Sequence, residues 1–313
     1  MTIRDLRAAD TPRLLEFLKN EFPEEEALLG TRPEGFVEIA RRVFRWDTRF
    51  LLGILRIVGR PIFRFFVIEE GDRIVATTLL TFGKQTGYVS MVVVDPAHRR
   101  RGWARTLLDQ ARSTTRARGK QYIALDVLAA NTPARRLYES LGYRPLRAAS
   151  YLVHERPASL LPERRAVPGL RAFRRSDARP LSEIARREKP VEVERVLPTT
   201  PREIAGSAWI GEILRSELAA WVLDDGRGPV AWVGATVSAA TEAAHLSAPI
   251  VDASVAPERA QALVQTAGAW CAARRVPRVL TMLPSENLRG RAALEGAGFH
   301  DAIPLWTLYR PVA

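Results

Sequence analysis

The chain repeats itself, and nothing else in the sequence limits its fold so strongly. IRDLRAADTPRLLEFL, Ile3 to Leu18, pairs without a gap with LRAFRRSDARPLSEIA, Leu170 to Ala185. NTPARRLYESLGYRPLRAASYLVH from Asn131 pairs with NLRGRAALEGAGFHDAIPLWTLYR from Asn287, again without a gap between Asn and Gly. Self-similarity at so long a period means two copies of one domain, and 313 residues is about twice the usual size of roughly 100 to 150. Each copy opens with a short strand, then Asp10 or Asp177 at a helix N-cap. Apolar residues follow at helical spacing: Leu14, Leu15 and Leu18 in one, Leu181, Ile184 and Ala185 in the other. Each copy also carries a hairpin signal, FRFFVIEEGDRIVATTLL turning at Gly71-Asp72 and LAAWVLDDGRGPVAWVGA turning near Asp225 to Gly228.

Each half then reads strand, helix, insert, hairpin, long strand, helix, strand, helix, strand. That order predicts an α/β fold in which a mixed, mostly antiparallel sheet is flanked by helices. ERPASLLPERRAVPG, rich in proline and charge, reads as the connection. The predicted division is 1–154, a linker at 155–168, and 169–313.

Composition excludes several classes. At 47% hydrophobic with one cysteine, Cys271, the chain is neither disordered nor a disulfide scaffold. MTIRDLRAAD has an Asp where an export signal needs an apolar run, so a reducing cytoplasm is the expectation. The most apolar stretch, Phe50 to Ile68, contains Arg56, Arg60 and Arg64, each costing about 2.5 to 3.5 kcal/mol at a bilayer centre; no membrane span follows. The net charge of +12 asks for an acidic partner, yet 43 of the 47 basic residues are arginine, scattered and without interleaved aromatics. That pattern speaks for a GC-rich coding bias rather than a nucleic-acid surface. His98, His154, His245 and His300 lack paired ligand spacing, so no metal site is expected.

In the first copy, VSMVVV (Val89 to Val94) reads as a strand, ended by Asp95-Pro96. A short loop, Ala97 to Gly102, feeds a helix with apolar Trp103, Leu107, Leu108 and Ala111. The free amides and dipole at such a helix start make an anion site, which suits a phosphate-bearing cofactor.

These residues resemble the GNAT superfamily of N-acetyltransferases, in tandem form. The family's V-x-P and R/Q-x-x-G-x-G/A positions are Val94-Asp95-Pro96 and Arg99-Arg100-Arg101-Gly102-Trp103-Ala104; downstream come YIALDVL, Asn131, Leu137-Tyr138 and Gly142-Tyr143. The resemblance implies that Arg99, Arg100, Arg101, Gly102, Trp103 and Ala104 bind the pyrophosphate of acetyl-coenzyme A through backbone amides. It implies that Val92 and Val94 pair with the pantetheine arm, that Asn131 holds the arm from the far side, and that Tyr138 faces the thioester sulfur as general acid. Direct attack by a neutral amine on the thioester follows. Family members often place a Glu base on the long strand; this chain has Ser90 and Met91 there, leaving Asp126, Glu69, water or backbone as alternatives. For Asn131 a helix N-cap is the plainer role, compatible with the first. Glu24-Glu25-Glu26 is either an acceptor wall or an ordinary first helical turn, and the apolar insert Phe36 to Val58 is expected to dock on the second half.

The second copy ends its strand at Val255-Ala256-Pro257, lacks the glycine loop, and has Leu294 where the first has Tyr138. It is expected to be a degenerate domain without cofactor chemistry. The expected activity is therefore an acetyl-CoA-dependent N-acetyltransferase acting on an amine-bearing acceptor, small molecule or peptide, through the first half. The alternative is a non-catalytic acyl-CoA sensor or adaptor with a protein or RNA partner. A homodimer stays open.

Overall fold

The computed structural model describes residues 2–19, 63–160, 167–205, 216–238 and 243–313. The Glu24–Glu26 run and the Phe36–Val58 insert lie outside the described residues. Contacts divide the chain into two units, but not at the expected linker: unit 1 takes 2–19, 63–146 and 306–313, and unit 2 takes the described residues from 147 to 305. The last strand of each copy is thus split between the units, and the C-terminal segment from Trp306 completes unit 1.

Unit 1 contains β1 (Thr2–Asp5), α1 (Thr11–Lys19), β2 (Phe63–Glu70), β3 (Arg73–Phe82), β4 (Thr86–Val94), α2 (Trp103–Ala117), β5 (Tyr122–Leu128), α3 (Thr132–Ser140) and the first residues of β6 (Arg144–His154). Its strands run β1-β2-β3-β4-β5, antiparallel except for parallel β4 and β5. Side chains alternate across a strand, so Phe66 and Ile68 of β2 pack with Leu107, Leu108 and Ala111 of α2. Val67 packs on the opposite face with Leu14, Phe17 and Leu18 of α1. The C-terminal segment supplies Leu308 and Val312 to the α2 side of this core, alongside Tyr138 and Tyr143. It is tied down by Val312 N–H donating to Gln121 O at 3.0 Å and by Thr307 Oγ1 donating to Asp126 Oδ1 at 2.7 Å.

Unit 2 contains β7 (Leu170–Ala172), α4 (Ala178–Glu188), α5 (Val191–Val196), α6 (Pro201–Ala205), β8 (Ser216–Asp224), β9 (Pro229–Ser238), β10 (Ala243–Leu246), β11 (Ile250–Val251), α7 (Pro257–Ala272), β12 (Arg278–Pro284), α8 (Leu288–Gly296) and the first half of β13 (His300–Pro311). Its strands run β7-β8-β9-β10-β12-β6, with β11 beside β9. Leu263, Val264 and Ala267 of α7 and Leu294 of α8 pack on one face, Leu181 and Ile184 of α4 on the other. Leu160, inside the expected linker, belongs to the α7 core.

The repeat is exact down to hydrogen bonds. Arg4 donates to Asp10 at 2.6 and 3.0 Å and to Glu69 at 2.9 Å; Arg171 donates to Asp177 at 2.8 and 2.9 Å and to Asp224 at 2.7 and 3.0 Å. Each carboxylate also accepts the amide three residues back, from Arg7 or Arg174, at 2.7 Å. This revises the expected capping role: Asp177 makes no cap bond to its helix, because a bidentate guanidinium is the stronger partner for a buried carboxylate. Past the last helix of each copy, Gly142 and Gly298 share positive φ, +80° and +92°, which turns the chain back toward the sheet.

Two outcomes follow. Leu308→Ala removes a fully buried side chain and is expected to destabilise unit 1 by about 2 to 5 kcal/mol in denaturant unfolding; a surface-like effect would contradict the C-terminal completion. Hydrogen bonds from Arg4 hold the Asp10 carboxyl down at about 2, below the ordinary value of about 3.9. A depressed folded pKa contributes stability that is complete above about pH 4 and is lost as pH falls toward 2. Asp10→Asn should therefore lower stability at pH 5 and flatten its fall between pH 4 and 2; an unchanged acid slope would refute the assignment.

Candidate functional site

The site begins with a defect in β4. Against β3 the register jumps: Leu79 faces Ser90 and Thr77 faces Val93, so Met91 and Val92 stand opposite Thr78 alone. Met91 takes φ +54°, and Thr78 Oγ1 donates to Ser90 O at 3.1 Å. Such a bulge bends its strand. β4 pairs with β5 only from Thr86–Tyr122 to Val89–Leu125, and beyond Val89 the two parallel strands part. Their separation leaves the β5-facing edge of Val92 and Val94 without a strand partner and opens a cleft of about 590 Å³.

One wall of the cleft is the loop after β4 and the start of α2. Asp95 Oδ1 accepts Ala97 N–H at 2.8 Å and Asp95 O accepts His98 N–H at 2.8 Å, forming a tight turn. His98 bridges Asp95 at 3.2 Å and Glu70 at 2.5 Å, and these two carboxylates raise its pKa. Arg99 Nε donates to Val94 O at 3.1 Å. Arg100 at φ +65° and Gly102 at φ +85° then turn the backbone into α2. A Cβ at Gly102 would meet no protein atom within 4 Å. Glycine is favoured there by the left-handed backbone, with open space in front of it. No side chain of Gly102 caps α2, and the first-turn amides of Trp103, Ala104 and Arg105 have no partner within the helix. The Trp103 indole N–H is buried without an acceptor. Free amides, a helix dipole and arginines give this wall the chemistry to accept an anion.

The other wall is α3. Asn131 Oδ1 accepts Ala134 N–H at 3.1 Å, so the cap role is present at a residue that also lines the cleft. Tyr138 lines it too, 7% exposed, with its ring 6.0 Å from that of Tyr143. The Tyr143 hydroxyl is buried without a partner, and burial pushes its pKa up.

The cleft brings together Val92, Val94, Arg99, Arg100, Gly102, Trp103, Ala104, Asn131 and Tyr138, and adds Val93, Arg105, Pro133, Ala134 and Leu137, to which sequence reasoning had given no role in binding. Arg101 is not among its lining residues; its guanidinium lies 3.6 Å from Glu70. The two carboxylates named as bases are engaged elsewhere, Glu69 by Arg4 and by Arg13 at 3.1 Å, Asp126 by Thr307. Neither lines the cleft. Among the described residues, no group of three or more His, Cys, Asp or Glu is placed to hold a metal, and no helix is long and apolar enough to cross a membrane.

Unit 2 departs at the loop and at the phenol. Its strand does not run to Val255 as expected: β11 stops at Val251 and α7 starts at Pro257, with five residues between them against eight in unit 1. None of those five has positive φ, and Pro257 at the first helical position offers no N–H. Leu294, fully buried, occupies the position of Tyr138.

Residues 17–143 match the acetyltransferase (GNAT) family. No curated protein sequence matches the chain. Among solved structures it is similar over 100% of its length, and 98% of the other chain, to a tandem GNAT protein from the clavulanic acid biosynthesis pathway, at TM-score 0.68 and 17% identity. A GCN5-related N-acetyltransferase from Sphaerobacter thermophilus matches over 99% of this chain and 95% of its own, at TM-score 0.64 and 18% identity. A putative acetyltransferase from Pyrococcus horikoshii matches over 99% and 89%, at TM-score 0.61 and 12% identity. The GNAT acetyltransferase family thus matches the segment that holds the bulged β4, the diverging β5 and the loop that opens α2, and the fold of the whole chain is similar to that of a tandem GNAT protein.

Proposed function

We propose that the chain is an acetyl-CoA-dependent N-acetyltransferase whose chemistry resides in unit 1. The observation that carries this reading is the convergence of an open strand edge, a free-amide helix start and a buried phenol on one cleft. Acetyl-CoA fits such a cleft because its parts match the walls: an amide-bearing arm for the edge of Val92 and Val94, and a pyrophosphate for the amides from Arg100 to Arg105. The orphaned Trp103 indole N–H offers one more donor. When bound, acetyl-CoA supplies an activated thioester carbonyl.

This chain's own groups do the rest. An amide of the bulged segment would donate to charge that develops on the carbonyl oxygen. Tyr138 gives its proton to the departing sulfur, as a phenol can do when it serves as general acid. No carboxylate is among the described residues lining the cleft, so the amine enters neutral and sheds its proton to water. That same observation is what favours the second reading, a non-catalytic acyl-CoA sensor.

Tyr138→Phe separates the two. Removal of the hydroxyl is expected to lower kcat by at least about tenfold, since general acid catalysis contributes typically 10² to 10⁴, while the dissociation constant for acetyl-CoA changes less than about threefold. Steady-state rates of thiol release with a panel of amines and peptides, beside direct binding, measure both. Full activity in the variant would reduce Tyr138 to packing; no turnover with any amine in the parent would favour the sensor.

A further inference from the structure

The loop that opens α2 is gripped from the side by one carboxylate. Glu70, the last residue of β2, reaches it with both oxygens: Oε2 lies 2.5 Å from His98 Nε2, and Oε1 lies 3.6 Å from Arg101 Nη1. These contacts straddle Arg100, a residue with a Cβ held at φ +65°. Such a backbone is sparsely populated and persists only where its surroundings fix it. The start of the loop is fixed separately, by Asp95 N–H donating to Val75 O at 2.9 Å.

His98 sits between two anions. Its side chain is 14% exposed, and its other ring nitrogen, Nδ1, faces Asp95 Oδ1 at 3.2 Å as an ion pair rather than an aligned hydrogen bond. A carboxylate oxygen only accepts, and a histidine ring carries a proton on both nitrogens only as the cation. The arrangement therefore suits imidazolium; a neutral ring would set a lone pair against one of the two carboxylates. Asp95 and then Glu70 accordingly hold the His98 pKa above its ordinary value of about 6.5. The neighbouring cations are Arg101, on the same carboxylate, and Arg73 of β3, whose charge acts on Asp95. Farther out, Arg13, Glu16 and Asp72 share a hollow with Arg73 and Asp95.

Unit 2 lacks this grip along with the loop. The residue aligned with Glu70 is Asp225, whose Oδ1 accepts the Arg227 amide at 2.8 Å, and Asp252 to Ala256 include no cationic side chain.

We propose that Glu70, His98 and Arg101 form an ion clamp that positions the loop amides for the pyrophosphate of acetyl-CoA, and that the clamp slackens when the imidazolium loses its proton. The proposal rests on the reading that the unit 1 cleft holds acetyl-CoA. Glu70 and His98 are positioning residues in it, acting through the backbone from Arg100 to Gly102.

At Glu70, charge alone and the clamp predict opposite results. Removing a negative charge beside an anion site strengthens anion binding if nothing moves, whereas removing the anchor of the clamp weakens it. Calorimetric titration of the full chain with acetyl-CoA, between about pH 6 and 9 where a histidine titrates, separates the two. At the acid end the dissociation constant of Glu70→Gln is expected to rise at least about fivefold, the lower end of usual coupling between positions. In the parent, affinity is greatest at low pH and falls as pH rises through the His98 pKa, because the clamp is complete only while the ring is charged. His98→Gln should bind throughout about as the parent does at the alkaline end, and the difference between the two profiles removes any titration of the ligand itself. Glu70→Gln binding as tightly as the parent or more tightly, or parallel profiles for the parent and His98→Gln, would overturn the clamp while leaving the cleft as the acetyl-CoA site. A parent chain that binds no acetyl-CoA even at the acid end would overturn both.

Discussion

Everything the site does depends on the parting of two parallel strands. β4 and β5 share hydrogen bonds for four residue pairs and then separate, because two residues of β4 are set against one of β3. From that single excess residue come the unpaired edge at Val92 and Val94, the room for a cleft, and the direction in which the loop delivers α2. The opposite wall, α3, is held at its far end by Gly142 and by a core that includes Leu308 and Val312. Unit 1, built mostly from the first half of the sequence, is therefore finished by Trp306 to Ala313.

The two copies show which parts of this design are scaffold. The Arg–Asp–acid cluster that ties the first strand to its helix and to the hairpin is present in both, with distances that agree to within a few tenths of an ångström. So are the Asn caps, with Asn131 accepting at 3.1 Å and Asn287 at 2.9 Å. The loop between strand and helix and the phenol are not shared. In unit 2 a shorter loop and Leu294 take their places. Packing needs the first group, and the proposed transfer would need the second, so a unit without the second still folds.

Much of this was legible in the sequence. The ungapped repeat gave the element order, and the helical spacing of Trp103, Leu107, Leu108 and Ala111 gave the buried face of α2. The loop and Asn131 could be read because caps and turns use few residue types. The bulge could not: VSMVVV is uniformly strand-like, and nothing in Met91 announces a positive φ. Nor could the division inside β6 and β13, since apolar alternation marks a strand without naming the core it completes. Asp177 read as a cap because the competing partner, Arg171, becomes its neighbour only when β7 and the helix are folded together.

The central claim is that one unit of the pair holds the acyl carrier and that its left-handed loop is the reason. Calorimetric titration of the full chain with acetyl-CoA, for the parent and for Gly102→Gln, tests it most directly. The account predicts one site per chain, weakened at least about tenfold in the variant, because a side chain at φ +85° strains the loop and projects into the open space before it. Two equivalent sites, or one site indifferent to Gly102→Gln, would contradict it.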